Sequence, residues 1–132
     1  MRVAVRTEFT VSATHRPGSL RNVLEAMALG GANVLAMCGY GQGETANLML
    51  VSDREDKARA ALRAAGFNPV ETRVLCVTTS SGKGAGAKIT AQLAKAGINI
   101  EYAYATTSGT GQGMAVFGVQ DPERALIALK KK

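Results

Sequence analysis

The apolar positions along the chain change period several times, and each change marks an element. From Thr7 to Ala13, apolar Phe9, Val11 and Ala13 alternate with Glu8, Thr10 and Ser12, the period of a half-buried strand. Arg16-Pro17-Gly18-Ser19-Leu20 then turns into a helix, with Pro17 expected in its first turn, where a missing N–H leaves no bond unmade. Leu20, Val23, Leu24, Met27 and Ala28 recur at helical spacing and form one apolar face. Gly30-Gly31 is suited to end that helix, and Val34 to Cys38 reads as a buried strand. Gly41-Gln42-Gly43-Glu44 has the composition of a turn and Ala46 to Val51 that of a third strand, so the two strands form a hairpin. Ser52 or Asp53 is placed to cap a second helix whose apolar positions are Ala58, Ala61, Leu62 and Ala65, with Gly66 closing it. Beyond Pro69 a strand-like run extends from Val70 through Val77.

The pattern then begins again. Gly97-Ile98-Asn99-Ile100 echoes Gly31-Ala32-Asn33-Val34 at an offset of 66 residues, which also pairs Val77 with Val11, Gly84 with Gly18, Ile89 with Val23 and Leu93 with Met27. Asp121-Pro122-Glu123, with Ala125 and Leu129, echoes Asp53, Ala58 and Leu62 after a small shift. Such a duplication of a β-α-β-β-α-β unit predicts an α+β protein of two ferredoxin-like repeats, their sheets antiparallel and their helices on one face. Residues 1–70 make the first repeat and 71–132 the second. The second copy has no fourth strand of its own, and the same offset sets Arg2–Arg6 opposite Asn68–Thr72. The Arg2–Arg6 segment is therefore expected to complete the second copy's sheet, and neither half is expected to fold alone.

Composition narrows the function classes. Of 132 residues, 46% are hydrophobic and 20% charged, as in globular proteins. No apolar run is long enough for a membrane span, and the alternating Met1–Arg6 is unlike a signal peptide, so a cytoplasmic location without membrane contact is expected. Cys38 and Cys76 lie in strand patterns without CxxC spacing and read as packing thiols. The net charge of +6 invites a nucleic-acid reading, but Lys130-Lys131-Lys132 supplies half of it. Arg54, Lys57, Arg59 and Arg63 are interleaved with Glu55 and Asp56 as on a solvated helix face, and no nucleic-acid partner is expected. With one histidine and two core-like cysteines, neither a nucleophile–base pair nor a metal-ligand cluster emerges, so no catalytic residue, cofactor or metal ion is expected.

The candidate chemistry lies at the start of the first helix. Backbone N–H groups of Gly18, Ser19 and Leu20 suit a carboxylate, and His15 and Arg16 add polar and positive character. Asn33 offers both an acceptor and a donor to a zwitterion. Gly18 and Gly31 are equally explained by backbone geometry, and Asn33 by a turn cap. The second copy has Ser80-Ser81-Gly82-Lys83-Gly84-Ala85-Gly86 in the corresponding place, without an arginine-proline pair. It is no P-loop, because the lysine precedes the glycines and no G-K-[ST] opens the helix; the turn is either a degenerate site, the favoured reading, or one adapted to another anion.

A strand, an R-P-G-S-L turn into a helix, a G-x-N-V link, a hairpin and a helix opened by aspartate together resemble an ACT domain. Over its whole length the chain is similar to the small stand-alone tandem ACT proteins, and Gly97 to Ala105 and Asp121 to Leu126 resemble their second halves. The resemblance implies a non-catalytic regulatory module that binds an amino acid or similar small ligand at an interface between paired domains. It implies a site at Thr14, His15, Arg16, Pro17, Gly18, Ser19 and Leu20, with Asn33 and Val34 across from them, and a second set at Gly84, Asn99 and Ile100. It further implies a homodimer and a partner enzyme; the alternative is a structural ACT pair that recruits a protein without a small ligand. Tyr102 and Tyr104 share a strand face and read as packing residues. An acylphosphatase-like enzyme would need a glutamine-glycine-rich phosphate loop before the helix, which is missing. An RNA-recognition module would need stacking aromatics on its central strands, and Ala46 to Val51 carries none in a chain that is 5% aromatic.

Overall fold

A computed structural model describes residues 1–80, 82–106 and 111–130; Ser81, Lys131 and Lys132 lie outside the described residues. In chain order the elements are β1 (Arg2–Thr14), α1 (Ser19–Leu29), β2 (Val34–Gln42), β3 (Thr45–Ser52), α2 (Glu55–Ala64), β4 (Val70–Ser80), α3 (Ala85–Lys95), β5 (Tyr102–Thr106), β6 (Gln112–Gly118) and α4 (Pro122–Lys130). They form two units, Thr7–Thr72 and Met1–Arg6 with Arg73–Lys132, so β1 and β4 each contribute residues to both. None of the described helices is long and apolar enough to cross a membrane.

In the first unit the strands lie in the order β2-β3-β1, with antiparallel neighbours. The alternation along β1 sets Phe9 opposite Leu50 and Val11 opposite Leu48. These four side chains meet Val23 and Met27 of α1 and Ala58 and Leu62 of α2 in one core. Each large apolar side chain buried there contributes about 1.5–3 kcal/mol. Arg59 of α2 lies 5.8 Å from the Phe9 ring centroid, and its Nε donates to Glu71 Oε2 at 2.7 Å. That hydrogen bond holds the Glu71 carboxyl below the usual carboxylate range.

Four local expectations are corrected in this unit. Val34 to Cys38 is not a buried strand: β2 runs on to Gln42, has β3 as its one neighbour in the unit, and is half-buried or exposed throughout. The hairpin turn shrinks to Gly43-Glu44, with Gln42 opposite Thr45. Pro17 precedes α1 instead of entering it, because Gly18 intervenes in a left-handed conformation. Ser52 and Asp53 do not cap α2, which Arg54 precedes without a side-chain cap bond. Both are engaged with the start of β2: Ser52 Oγ donates to Asn33 O at 2.8 Å, and Asp53 Oδ1 accepts the Asn33 N–H at 3.1 Å. Glu55 and Asp56 instead meet the positive end of the helix dipole.

In the second unit β4, β6 and β5 are antiparallel neighbours. Leu75, Val77, Ile89, Leu93, Phe117, Ala125 and Leu129 form its core, and Val3 of β1 packs against it. Asp121 Oδ1 accepts the Arg124 N–H at 3.1 Å with Pro122 at the first helical position, a side-chain cap that α2 lacks. Tyr102 stands opposite Gly118, where an added Cβ would lie 2.2 Å from its ring. Cys76 is buried, whereas Cys38 is only half-buried, and neither forms a disulfide among the described residues.

The offset of 66 residues recurs in the backbone hydrogen bonds that end the helices. Gly31 N donates to Ala28 O at 3.1 Å and Gly97 N to Ala94 O at 2.9 Å. Ala32 N donates to Met27 O at 3.0 Å and Ile98 N to Leu93 O at 2.9 Å. At the ends of α1 and α3 the two units repeat each other bond for bond.

Candidate functional site

The turn between β1 and α1 is built by local bonds. The N–H of His15 donates to Glu44 O at 2.7 Å, which fastens the turn to the β2–β3 hairpin. Ser19 is buried, its Oγ donates to Thr14 O, and its N–H donates to Arg16 O at 3.2 Å. Gly18 stands at the N-cap with φ 90°, a left-handed conformation in which a Cβ is strained. No side chain caps α1, and its first turn holds no acidic residue, so the positive end of the helix is left uncompensated from within. The N–H of Ser19 is already used, which leaves those of the next two residues without an intrahelical acceptor.

Beside this helix start lies a cavity of about 250 Å³, just below the range of about 300–1,000 Å³ usual for drug-sized ligands. His15, Arg16, Gly18, Ser19 and Leu20 line it from the turn, Val11 and Ala13 from β1, Val23 from α1, and residues 39–41 and 46–48 from the hairpin. The walls are mostly apolar, and no carboxylate is among the described lining residues. Glycine on β2 makes room for the histidine: a Cβ on Gly41 would lie 2.5 Å from His15 Cε1 and Nε2.

Of the candidate residues, the turn therefore gathers His15, Arg16, Gly18, Ser19 and Leu20 on one cavity. Thr14 lies just outside, lining a shallower recess with Ser12, Gly43 and Glu44. Pro17 is exposed and not among the lining residues of either. Asn33 and Val34 are not brought to the turn within the unit. The register runs from Val34 opposite Ser52 to Gln42 opposite Thr45, so Asn33 lies at the far end of β2, about 25 Å along the strand. Sequence reasoning missed the hairpin's share of the site, Gly39, Gly41, Ala46 and Leu48. The signal was the G-x-G alternation at Gly39 and Gly41, which was partly absorbed into an assumed turn.

No family model matches the chain, and no curated relative does so either. Among solved structures, a protein of Bacteroides thetaiotaomicron superposes with a TM-score of 0.86 at 24% identity, over 98% of this chain and 89% of that one. The ligand-free regulatory subunit of aspartate kinase from Thermus thermophilus matches with a TM-score of 0.68 at 21% identity, over 96% and 93%. That from Thermus flavus matches with a TM-score of 0.61 at 20% identity, over 98% and 95%. The fold is ACT-like.

The second ACT-like unit repeats the helix start without its furnishings. Gly84 stands at the N-cap of α3 with φ 79°, and Ala85 N donates to Gly82 O at 3.2 Å, as Ser19 N does to Arg16 O. Alanine replaces Ser19, so no hydroxyl ties the turn back to its strand. Asn99 and Ile100 lie beyond the C-terminal end of α3 and Gly84 at its start, so the unit separates these candidates as the first unit separates Gly18 from Asn33. Asn99 instead lines a polar recess with Glu101, Gln120, Asp121 and Arg124, whose guanidinium donates to Ala96 O.

Proposed function

We propose that this chain is a non-catalytic regulatory protein that binds an amino acid or similar small metabolite at the turn before α1. The observation that carries the reading is the cavity of about 250 Å³ beside a helix start that has neither a side-chain cap nor an acidic residue. A carboxylate there gains the free N–H groups and the helix dipole, and the cavity gives the rest of the molecule a place to go. The likeness to regulatory subunits of aspartate kinase supports a sensor over an enzyme. Because Asn33 lies at the opposite end of β2 from the turn, a ligand touching both takes Asn33 and Val34, or their counterparts Asn99 and Ile100, from a second copy of the chain. The protein then acts as a homodimer, and its output is a partner enzyme.

Thermal-shift screening of the proteinogenic amino acids, with calorimetry on each hit, tests this. A ligand at a hundred times its Kd stabilises the protein by about 2.7 kcal/mol. The Asn33 side chain is exposed and its described bonds are made by the backbone, so Asn33→Ala should spare the fold and weaken binding at least tenfold. Unchanged affinity in that variant would remove Asn33 from the site, and a flat screen would overturn the small-ligand reading.

A further inference from the structure

The cavity beside α1 changes character with depth. Exposed His15 and Arg16 stand on its turn side, whereas Val11, Val23 and Leu48 in its lining are buried. β2 is hollowed where it faces this space, since Gly39 and Gly41 alternate and so remove two side chains from one face of the strand. Neither glycine has a left-handed backbone, so conformation does not demand glycine at either. Gly41 is explained by the His15 ring. Gly39 is not: a Cβ there would lie 3.4 Å from Leu48 Cδ1 and 3.8 Å from Leu20 Cδ1, ordinary packing distances, yet the position is left empty.

We infer that this cavity is a side-chain pocket for an α-amino acid with an uncharged aliphatic or thioether side chain, of about the size of leucine or methionine, and that Gly39 sets its depth. The inference rests on the reading of the Thr14–Leu20 turn as an amino-acid site. A cationic side chain entering the pocket would lose its water without meeting a carboxylate among the described lining residues, and an anionic one would find its only cationic lining residue, Arg16, on the exposed turn side and not among the apolar walls. An apolar one gains about fourfold in affinity for each methylene it buries. Ala105 stands at the corresponding sequence position in the second unit, so the side chain missing at Gly39 is present there.

The experiment is a calorimetric series on the full chain with alanine, valine, leucine, methionine, lysine, threonine and aspartate, repeated with Gly39→Val. Affinity should rise roughly fiftyfold from alanine to leucine. Gly39→Val should weaken leucine at least tenfold while changing alanine less than threefold, with the melting transition kept as the control for folding. A series headed by lysine, threonine or aspartate, or leucine affinity untouched by Gly39→Val, overturns the aliphatic assignment and leaves the amino-acid site standing. A series in which nothing binds overturns both.

Discussion

At the start of α1 the N–H of Ser19 donates to Arg16 O, and at the start of α3 the N–H of Ala85 donates to Gly82 O, each at 3.2 Å behind a left-handed glycine. These backbone bonds coincide, and the side chains do not. In the first turn Ser19 is buried and tied to Thr14, and His15 lies where β2 has made room for its ring. In the second, Gly82, Lys83 and Ala85 stand at the sequence positions of Arg16, Pro17 and Ser19. Whatever the fold requires of this turn, the second copy already supplies. The serine, the histidine, the arginine-proline pair and the paired glycines of β2 are additions that folding alone does not call for. That surplus is what favours the first turn as the proposed ligand site.

The comparison breaks first if the two helices are seated differently. Met27 and Leu93, 66 residues apart and both fully buried, should cost alike when cut to alanine, about 2–5 kcal/mol each by urea denaturation. A large disparity would mean that the second turn differs through its packing and not only through its side chains. Next in size, Gly18→Ala and Gly84→Ala each force a Cβ into a left-handed conformation in open space, at about 1–2 kcal/mol apiece. Equal losses with ligand binding damaged only by the first would sharpen the distinction; unequal losses would show that one turn carries strain the other lacks. The smallest effect belongs to Arg59 and Glu71, a partly exposed pair of the first unit. Because the Arg59 hydrogen bond lowers the folded-state pKa of Glu71, its stabilisation is present above the ordinary carboxylate range and is lost as pH falls through the folded value. Glu71→Gln should therefore lower Tm slightly at neutral pH, and the difference from the parent should vanish in acid.

How much of this was legible beforehand differs between backbone and site. The 66-residue offset was visible because buried positions and helix-ending glycines leave periodic marks, and the hydrogen bonds of Gly31, Ala32, Gly97 and Ile98 repeat it. The extent of β2 was misjudged because glycine composition reads as a turn, whereas Gly41 serves a close approach by a side chain 26 residues earlier in the chain. No local pattern encodes such an approach. Asn33 was grouped with the turn through the ACT resemblance, while the register of β2 on β3 decides which end of the unit it occupies. Ser52 and Asp53 were plausible caps by residue type, but Asp53 Oδ1 accepts the Asn33 N–H, while Ser52 Oγ donates to Asn33 O and accepts the N–H of Arg54, one residue short of the helix.

The division of β1 between the units has a consequence for synthesis. Arg2–Arg6 leaves the ribosome before any other described strand residue, yet the rest of its unit begins only at Arg73. At about 5–20 residues per second, roughly three to thirteen seconds of translation separate the two. During that interval Thr7–Thr72 has all its own residues available and Arg2–Arg6 has none of its unit's core to rest on. The arginines at both ends of that short apolar run keep it in water while it waits, and the second unit can close only once most of the sequence described here has been made.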